Sequence, residues 1–204
     1  MVQHRPIVFL DIETTGGSAV DSRITEIGAL RVEAGAVAAT FSKLINPEQH
    51  VPSFITRLTG IDDGMVANAP TFAMVAGELQ QFLNGAVFVA HNVQFDYGFI
   101  KASYQRIGQQ FNMDRFCTAQ LSRRLYPGQR RHNLDTIVEA HGITVVNRHR
   151  ALDDAQALHE FFQSALRQHG DDVYTAIKHI YKPTIVKPGN GFDGGGVQTG
   201  LRLA

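Results

Sequence analysis

The stretch FLDIETTGG, residues 9–17, ends an apolar run in two carboxylates, Asp11 and Glu13, and then passes through two threonines into glycines. The run IVFLDIE is short and rich in β-branched residues, which predicts a buried strand. Positions two apart on a strand face the same way, so Asp11 and Glu13 project together and repel one another. A lone D-x-E pair has two readings. Asp11 caps a turn while Glu13 is solvated, or one divalent centre with hard oxygen ligands neutralises both. The deciding acids have to come from elsewhere in the chain.

Outward from this strand, ITEIGALRVEAG and VAATFSKLINP follow at hairpin-like spacing around the turn EAGA, giving three strands. SFITRLTGI reads as a short helix or turn. In TFAMVAGELQQFLNG the residues Phe72, Val75, Ala76, Leu79, Phe82 and Leu83 form a helical stripe closed by Gly85. AVFVA is a fourth strand, FDYGFIKASYQRIG a helix, and FNMDRFCTA a strand that passes into a helix. HNLDTIVEAHG follows, where Asn133 and Asp135 are placed to cap a helix. A long helix over residues 151–169 keeps Ala151, Ala155, Leu158, Phe162 and Ala165 on one face. Hairpin-linked strands followed by alternating strands and helices predict an α/β fold, a mixed sheet flanked by helices. Residues 1–182 are read as one domain. Residues 183–204 are read as a flexible glycine-rich tail, because six of the chain's 19 glycines fall between 189 and 200.

A chain of 204 residues suits one core, and 44% hydrophobic with 19% charged residues is globular composition. No apolar run reaches the roughly 18 residues of a membrane span. The N-terminus MVQHRPIVFLDIE has neither an apolar signal core nor a small-residue cleavage site, so a cytoplasmic protein is expected. The single cysteine, Cys117, excludes an internal disulfide and a cysteine-based zinc site and fits a reducing compartment. Net charge is zero, but residues 101–150 hold nine Lys/Arg against three acids, balanced by an excess of acid elsewhere. Such a split either steers a polyanion toward an acidic pocket or is a solvated basic face.

Two further acidic positions stand at element edges. Asp96 lies in VAHNVQFDYGFI, just past the fourth strand and opening a helix, and Asp154 lies early in the long helix within RHRALDDAQA, five residues after His149. Asp153 and Asp154 cannot share one helix face, so one of them at most points into a site.

Three motifs in order, FLDIETTG, AHNVQFDYGF and HRALDDA, together resemble the DEDDh 3′-to-5′ exonucleases of the ribonuclease H-like superfold, over about residues 6–168. Within that family the chain is similar to the epsilon proofreading subunit of bacterial replicative polymerases and its stand-alone relatives. The resemblance implies a mixed five-stranded sheet, and it implies that Asp11, Glu13, Asp96 and Asp154 hold two divalent cations, Mg²⁺ or Mn²⁺, with His149 as general base. It also implies that Thr14, Thr15 and Gly16 line a pocket for the 3′-terminal nucleotide and that His91, Asn92 and Phe95 contact substrate. Phe95 either stacks on a base or is plain core. The segment RLTGI, residues 57–61, resembles one near the substrate. The chemistry suits these residues without the family: carboxylates can hold a metal pair, and an imidazole can take a proton near neutral pH.

The expected substrate is the 3′ end of single-stranded or frayed DNA, in proofreading or repair. An RNA 3′-end exonuclease resembling ribonuclease T or oligoribonuclease shares the same motifs. At the C-terminus QTGLRL, with Gln198, Leu201 and Leu203, looks like a peptide that docks on a sliding clamp. On that feature alone the chain would be an adaptor for the clamp or the replicative polymerase.

Overall fold

Alternation along β1 (Ile7–Thr14) sets the layering of the molecule. In the computed structural model, which describes residues 4–184, Val8, Leu10 and Ile12 enter one apolar core while Ile7 and Phe9 enter another. Burial on both faces is what a central strand requires. β2 (Ile24–Glu33) pairs antiparallel with β1, and β3 (Ala36–Leu44) antiparallel with β2. Their two-residue connection, Ala34 and Gly35, has φ of 49° and 83°. Positive φ at both central residues matches the twist of a tight hairpin. β4 (Val87–Ala90) runs parallel to β1, and β5 (Arg115–Cys117) parallel to β4, giving the order β3-β2-β1-β4-β5. This is the mixed five-stranded sheet that the sequence predicts.

The helices follow chain order: α1 (Ser53–Thr59), α2 (Asp63–Val66), α3 (Phe72–Leu83), α4 (Gln94–Arg106), α5 (Thr118–Leu125), α6 (Leu134–Ala140), α7 (Ala151–His169) and α8 (Asp172–Ile180). α3 and α4 bring Val75, Leu79, Phe99 and Ile100 to one face of the sheet. On the other face α5 to α8 bring Leu121, Ile137, Leu158, Phe161 and Ile177. Each such side chain removed from water contributes about 1.5–3 kcal/mol. α1 and α2 enclose a small satellite cluster of Val51, Ile55, Ile61 and Val66. Two of these helices go beyond the sequence reading. α2 is a single turn whose Asp62 side chain accepts from the Met65 amide, and α8 resumes directly after Gly170, where the long helix ends. α8 buries Val173, Ala176, Ile177 and Ile180, a 3.6-residue stripe short enough to be hidden by the β-branched residues within it.

α7 packs across β1 and β2. Phe162 lies on Phe9 of β1, with ring centroids 5.5 Å apart. At the other end of the helix Gly28 of β2 lets the two backbones meet: a Cβ there would lie 2.1 Å from the Ala151 carbonyl carbon and the Leu152 nitrogen. No side chain fits in that space, so α7 reaches the sheet only over a glycine.

Candidate active site

The odd positions of β1 continue from Ile7 and Phe9 to Asp11 and Glu13, so both acids emerge on the α7 side of the sheet. In register beside them on β2 stand Gly28, opposite Asp11, and Glu26, opposite Glu13. Glu26 is 2% exposed. It accepts from Arg150 Nη2 at 2.6 Å, from Arg150 Nε at 3.1 Å and from the Ala151 amide at 3.0 Å. One buried carboxylate thus satisfies an orphan amide of α7 and binds the arginine before it, which fixes the first turn over β1. Asp154, in that first turn, is 4% exposed. Its carboxylate accepts from the His149 amide at 3.3 Å and pairs with the Arg148 guanidinium.

Asp96 arrives from the opposite layer. It lies in the first turn of α4, a helix anchored by Tyr97, Phe99 and Ile100 in the other core, and is 2% exposed. Its neighbours identify where it points: hydrogen bonds from its own amide and from the Ile12 backbone act on its carboxyl. Asp11, Glu13, Asp96 and Asp154 therefore converge at the end of β1. Loss of solvation raises the Asp11 carboxyl well above its ordinary range, the charges of Asp96, Asp154 and Glu13 add to this, and Arg148 opposes them. Desolvation, then Asp154, Glu26 and Asp96, push Glu13 up to about 8. Burial pushes Asp96 up to about 8 as well, against those two backbone hydrogen bonds. Burial also raises Asp154, with Arg148 and the His149 amide pulling the other way. Acids held in this way resist ionisation until a cation joins them.

A ligand atom of Glu13, one of Asp154 and a ring nitrogen of His149 all lie within 4.8 Å of one another. Carboxylate oxygens and an unbalanced negative charge fit a hard divalent cation, with the imidazole beside it. His149 is half-buried in the loop before α7 and has φ 62°, a conformation uncommon for a residue with a side chain. Two clasps hold that loop. Asp153 accepts from the Asn147 amide at 3.0 Å and from its side-chain nitrogen at 2.9 Å. Arg148 bridges Asp154 to Asp135 of α6, with Nη2 2.6 Å from Asp135 Oδ1. Asp153 is thus turned toward the loop and Asp154 toward the acids.

The other residues singled out in the sequence lie around the same edge of the sheet. Thr14 and Thr15 are buried, and both hydroxyls engage the backbone: Thr14 Oγ1 donates to Gly16 O at 2.8 Å, and Thr15 Oγ1 accepts from Arg23 N at 2.9 Å. A Cβ at Gly16 would lie 2.7 Å from Ser22 Oγ, so a side chain there would have to displace the serine hydroxyl. His91 and Asn92 follow β4 directly, with Asn92 at φ 59°. The His91 ring sits 3.0 Å from Thr118 Oγ1. Burial, with help from the positive charges of Arg123 and Arg148, lowers His91 to about 4 against the His132 carbonyl. Phe95 is half-buried, packs against the core and lies 4.8 Å from the Phe99 ring. Gln198, Leu201 and Leu203 lie outside the described residues. Sequence reasoning passed over Glu26, Gly28 and Arg148, and it read Asp135 as a helix cap, not as the partner of Arg148. For Glu26 a signal existed, a charge inside the apolar strand ITEIGALRV; for Gly28, Arg148 and the Arg148–Asp135 pair there was none without the packing.

Residues 8–162 match the exonuclease family model. The chain belongs to the exonuclease family. It is 40% identical over 161 residues to a DNA polymerase III PolC-type of Caldanaerobacter subterraneus subsp. tengcongensis, a match over 79% of this chain and 12% of that protein. It is 32% identical over 188 residues to a DNA polymerase III subunit epsilon of Treponema pallidum, over 91% of this chain and 87% of that one. The chain thus spans about an eighth of the PolC-type relative and most of the epsilon relative. Its fold matches the nuclease domain of 3′hExo, a DEDDh family member bound to rAMP, with TM-score 0.70 and 19% identity over 81% of this chain and 92% of the other. The exonuclease fold inferred from three short motifs is therefore the one the chain adopts. Among the described residues, no helix of this exonuclease is long and apolar enough to cross a membrane.

Proposed function

We propose that this exonuclease removes nucleotides from the 3′ ends of single-stranded or frayed DNA, releasing 5′-mononucleotides, in proofreading or repair. Asp11, Glu13, Asp96 and Asp154 would hold two Mg²⁺ or Mn²⁺ ions, which when bound neutralise the acids and stabilise charge on the attacking and leaving oxygens. The observation that carries this reading is the convergence of four carboxylates, each raised above its ordinary pKa, next to one imidazole. An all-carboxylate set suits hard cations and leaves His149 to take the proton of the attacking water, an effect worth about 10² to 10⁴ in rate. The loop clasps at Asp153 and Arg148 orient that imidazole. The backbone at Thr14, Thr15 and Gly16 and the side chains of His91, Asn92 and Phe95 border the place where the terminal nucleotide is held.

DNA is preferred over RNA because the PolC-type and epsilon relatives are named as DNA polymerase III proteins. The epsilon relative, matched over most of its length and named as a DNA polymerase III subunit, also supports association with a replicative polymerase; we take the compartment to be the cytoplasm. We take residues 1–182 as the catalytic unit. In support, Lys182 bridges to Arg115 of β5; the Thr184 amide donates to Asp114 at 2.6 Å, so packing contacts reach two residues past that boundary.

A gel time course on 5′-labelled single-stranded DNA with Mg²⁺, Mn²⁺ or EDTA tests the reading. Products shortened stepwise from the 3′ end with either metal and none with EDTA are expected. Undiminished cleavage in EDTA, or shortening from the 5′ end, overturns it. Faster digestion of a matched RNA oligonucleotide replaces DNA with RNA as the substrate.

A further inference from the structure

The basic excess of residues 101–150 is not spent evenly. Arg106 donates to the Ala19 and Val20 carbonyls, Arg115 lies over the Tyr97 ring, Arg148 bridges Asp135 and Asp154, and Arg150 holds Glu26. Those four cations are committed to the fold. Arg123, Arg130 and Arg131 make no ion pair among the described residues. All three line one groove of about 480 Å³, together with His91, Asn92 and His132, and none of the residues lining it is acidic.

The groove and the acidic site are linked through the segment after β4: His91 and Asn92 line the groove, immediately follow β4 and stand five and four residues before Asp96. The His91 ring feels the charges of both Arg123, which lines the groove, and Arg148, which holds Asp154. Three guanidiniums without a counter-charge in one groove are complementary to a chain of phosphates, not to a single anion.

We propose that the groove lined by Arg123, Arg130 and Arg131 seats the phosphates of the substrate strand several nucleotides back from its 3′ end. The inference rests on the proposed exonuclease reaction and assigns where the rest of the strand lies. Its role is to hold longer single strands, so affinity depends on oligonucleotide length and on salt. Each neutralised phosphate on a single strand contributes about 0.7 to the slope of log affinity against log salt, so three contribute about 2. Between 50 and 200 mM salt that is about a 20-fold difference in affinity loss.

The test uses the full chain and 5′-fluorescein-labelled oligothymidylates of 3 and 12 nucleotides. Anisotropy is followed across that salt range with Ca²⁺ as the only divalent ion, and probe integrity is checked on a gel. The triple variant Arg123→Ala, Arg130→Ala, Arg131→Ala should show a slope shallower by about 2 for the 12-mer and a smaller preference for the 12-mer over the 3-mer. The triple lysine variant, which keeps the charges, should retain the wild-type slope. A wild-type slope in the alanine variant, or equal weakening of the 3-mer and the 12-mer, overturns the proposal. The two readings fail separately: a wild type that cannot shorten the 12-mer with Mg²⁺ or Mn²⁺ sinks the exonuclease assignment, whereas an active wild type whose salt slope ignores the three arginines sinks only the groove.

Discussion

At the edge of the sheet where β4 and β5 begin, Asp114 is surrounded by donors: the Tyr181 hydroxyl at 2.6 Å, the Thr184 amide at 2.6 Å and the Arg5 guanidinium. At the opposite edge, where β1 and β4 end, Asp11, Glu13, Asp96 and Asp154 face mainly one another, with Arg148 as the cation among them. The difference shows in their protonation. Partial burial works against the Asp114 charge, but the hydroxyl, the amide and the guanidinium outweigh it and hold the carboxyl well below the usual range. Burial and mutual repulsion move the four acids the other way. One carboxylate is placed so that its charge stabilises the fold. The other four destabilise it until something positive arrives, and strain of that kind marks a site kept for chemistry.

The contrast is sharpest in catalysis. Asp11→Ala and His149→Ala should each lower metal-dependent DNA degradation by about 10² or more, whereas Asp114→Ala should keep the wild-type kcat. Wild-type activity in either of the first two variants breaks the assignment. Gly28→Ala comes next. The added methyl meets α7 backbone that cannot swing away, so an overpacking cost of about 1–3 kcal/mol is expected in denaturant melts. Activity should fall with it, since α7 carries Asp154 and the His149 loop precedes it.

Asp114→Ala should cost about 1–3 kcal/mol near neutral pH, because three donors lose their acceptor. The sign of its pH dependence follows from a depressed pKa in the folded state. Asp114 contributes stability above its unfolded value of about 3.8, and the contribution is lost as pH falls through the lower folded value. Wild type and variant should therefore converge in Tm on acidification below about pH 4. For the four acids the sign reverses. Glu13 and Asp96 rise to about 8 from 4.5 and 3.8, so the folded chain retains protons that the unfolded chain has released. Their stabilising protonation is complete below about pH 4 and is lost as pH rises toward 8.

Asp96→Asn in EDTA should consequently raise Tm at pH 8, by about 2–4 °C for each kcal/mol relieved, and change it little at pH 4. Mn²⁺ should raise the wild-type Tm more at pH 8 than at pH 6, because the ligands must lose protons to bind, and should raise that of Asp96→Asn less. Equal Mn²⁺ effects on the two proteins would remove Asp96 from the metal site.

Much of this arrangement is legible in the sequence. The period-2 pattern of β1 puts Asp11 and Glu13 on one side of a strand, and the stripe from Ala151 to Ala165 makes a helix that lies on the sheet. Both are consequences of local geometry, which a sequence carries directly. The spacing alone could not say which of Asp153 and Asp154 points inward. Nor could it say whether the His91–Phe95 segment borders the same site, because those relations depend on how distant elements are docked.

The sequence by itself determined the strands, most of the helices and which acids and which histidine were candidates for a site, since propensity, alternation and motif order act over a few neighbouring residues. Only the tertiary structure decided that these residues meet. Glu26 grips Arg150 across 124 positions of chain, and Gly28 leaves room for the α7 backbone. Between them they set the position of one helix end to within a methyl group, and through it that of Asp154 relative to Asp11, because close-packed surfaces leave an element few alternative seats.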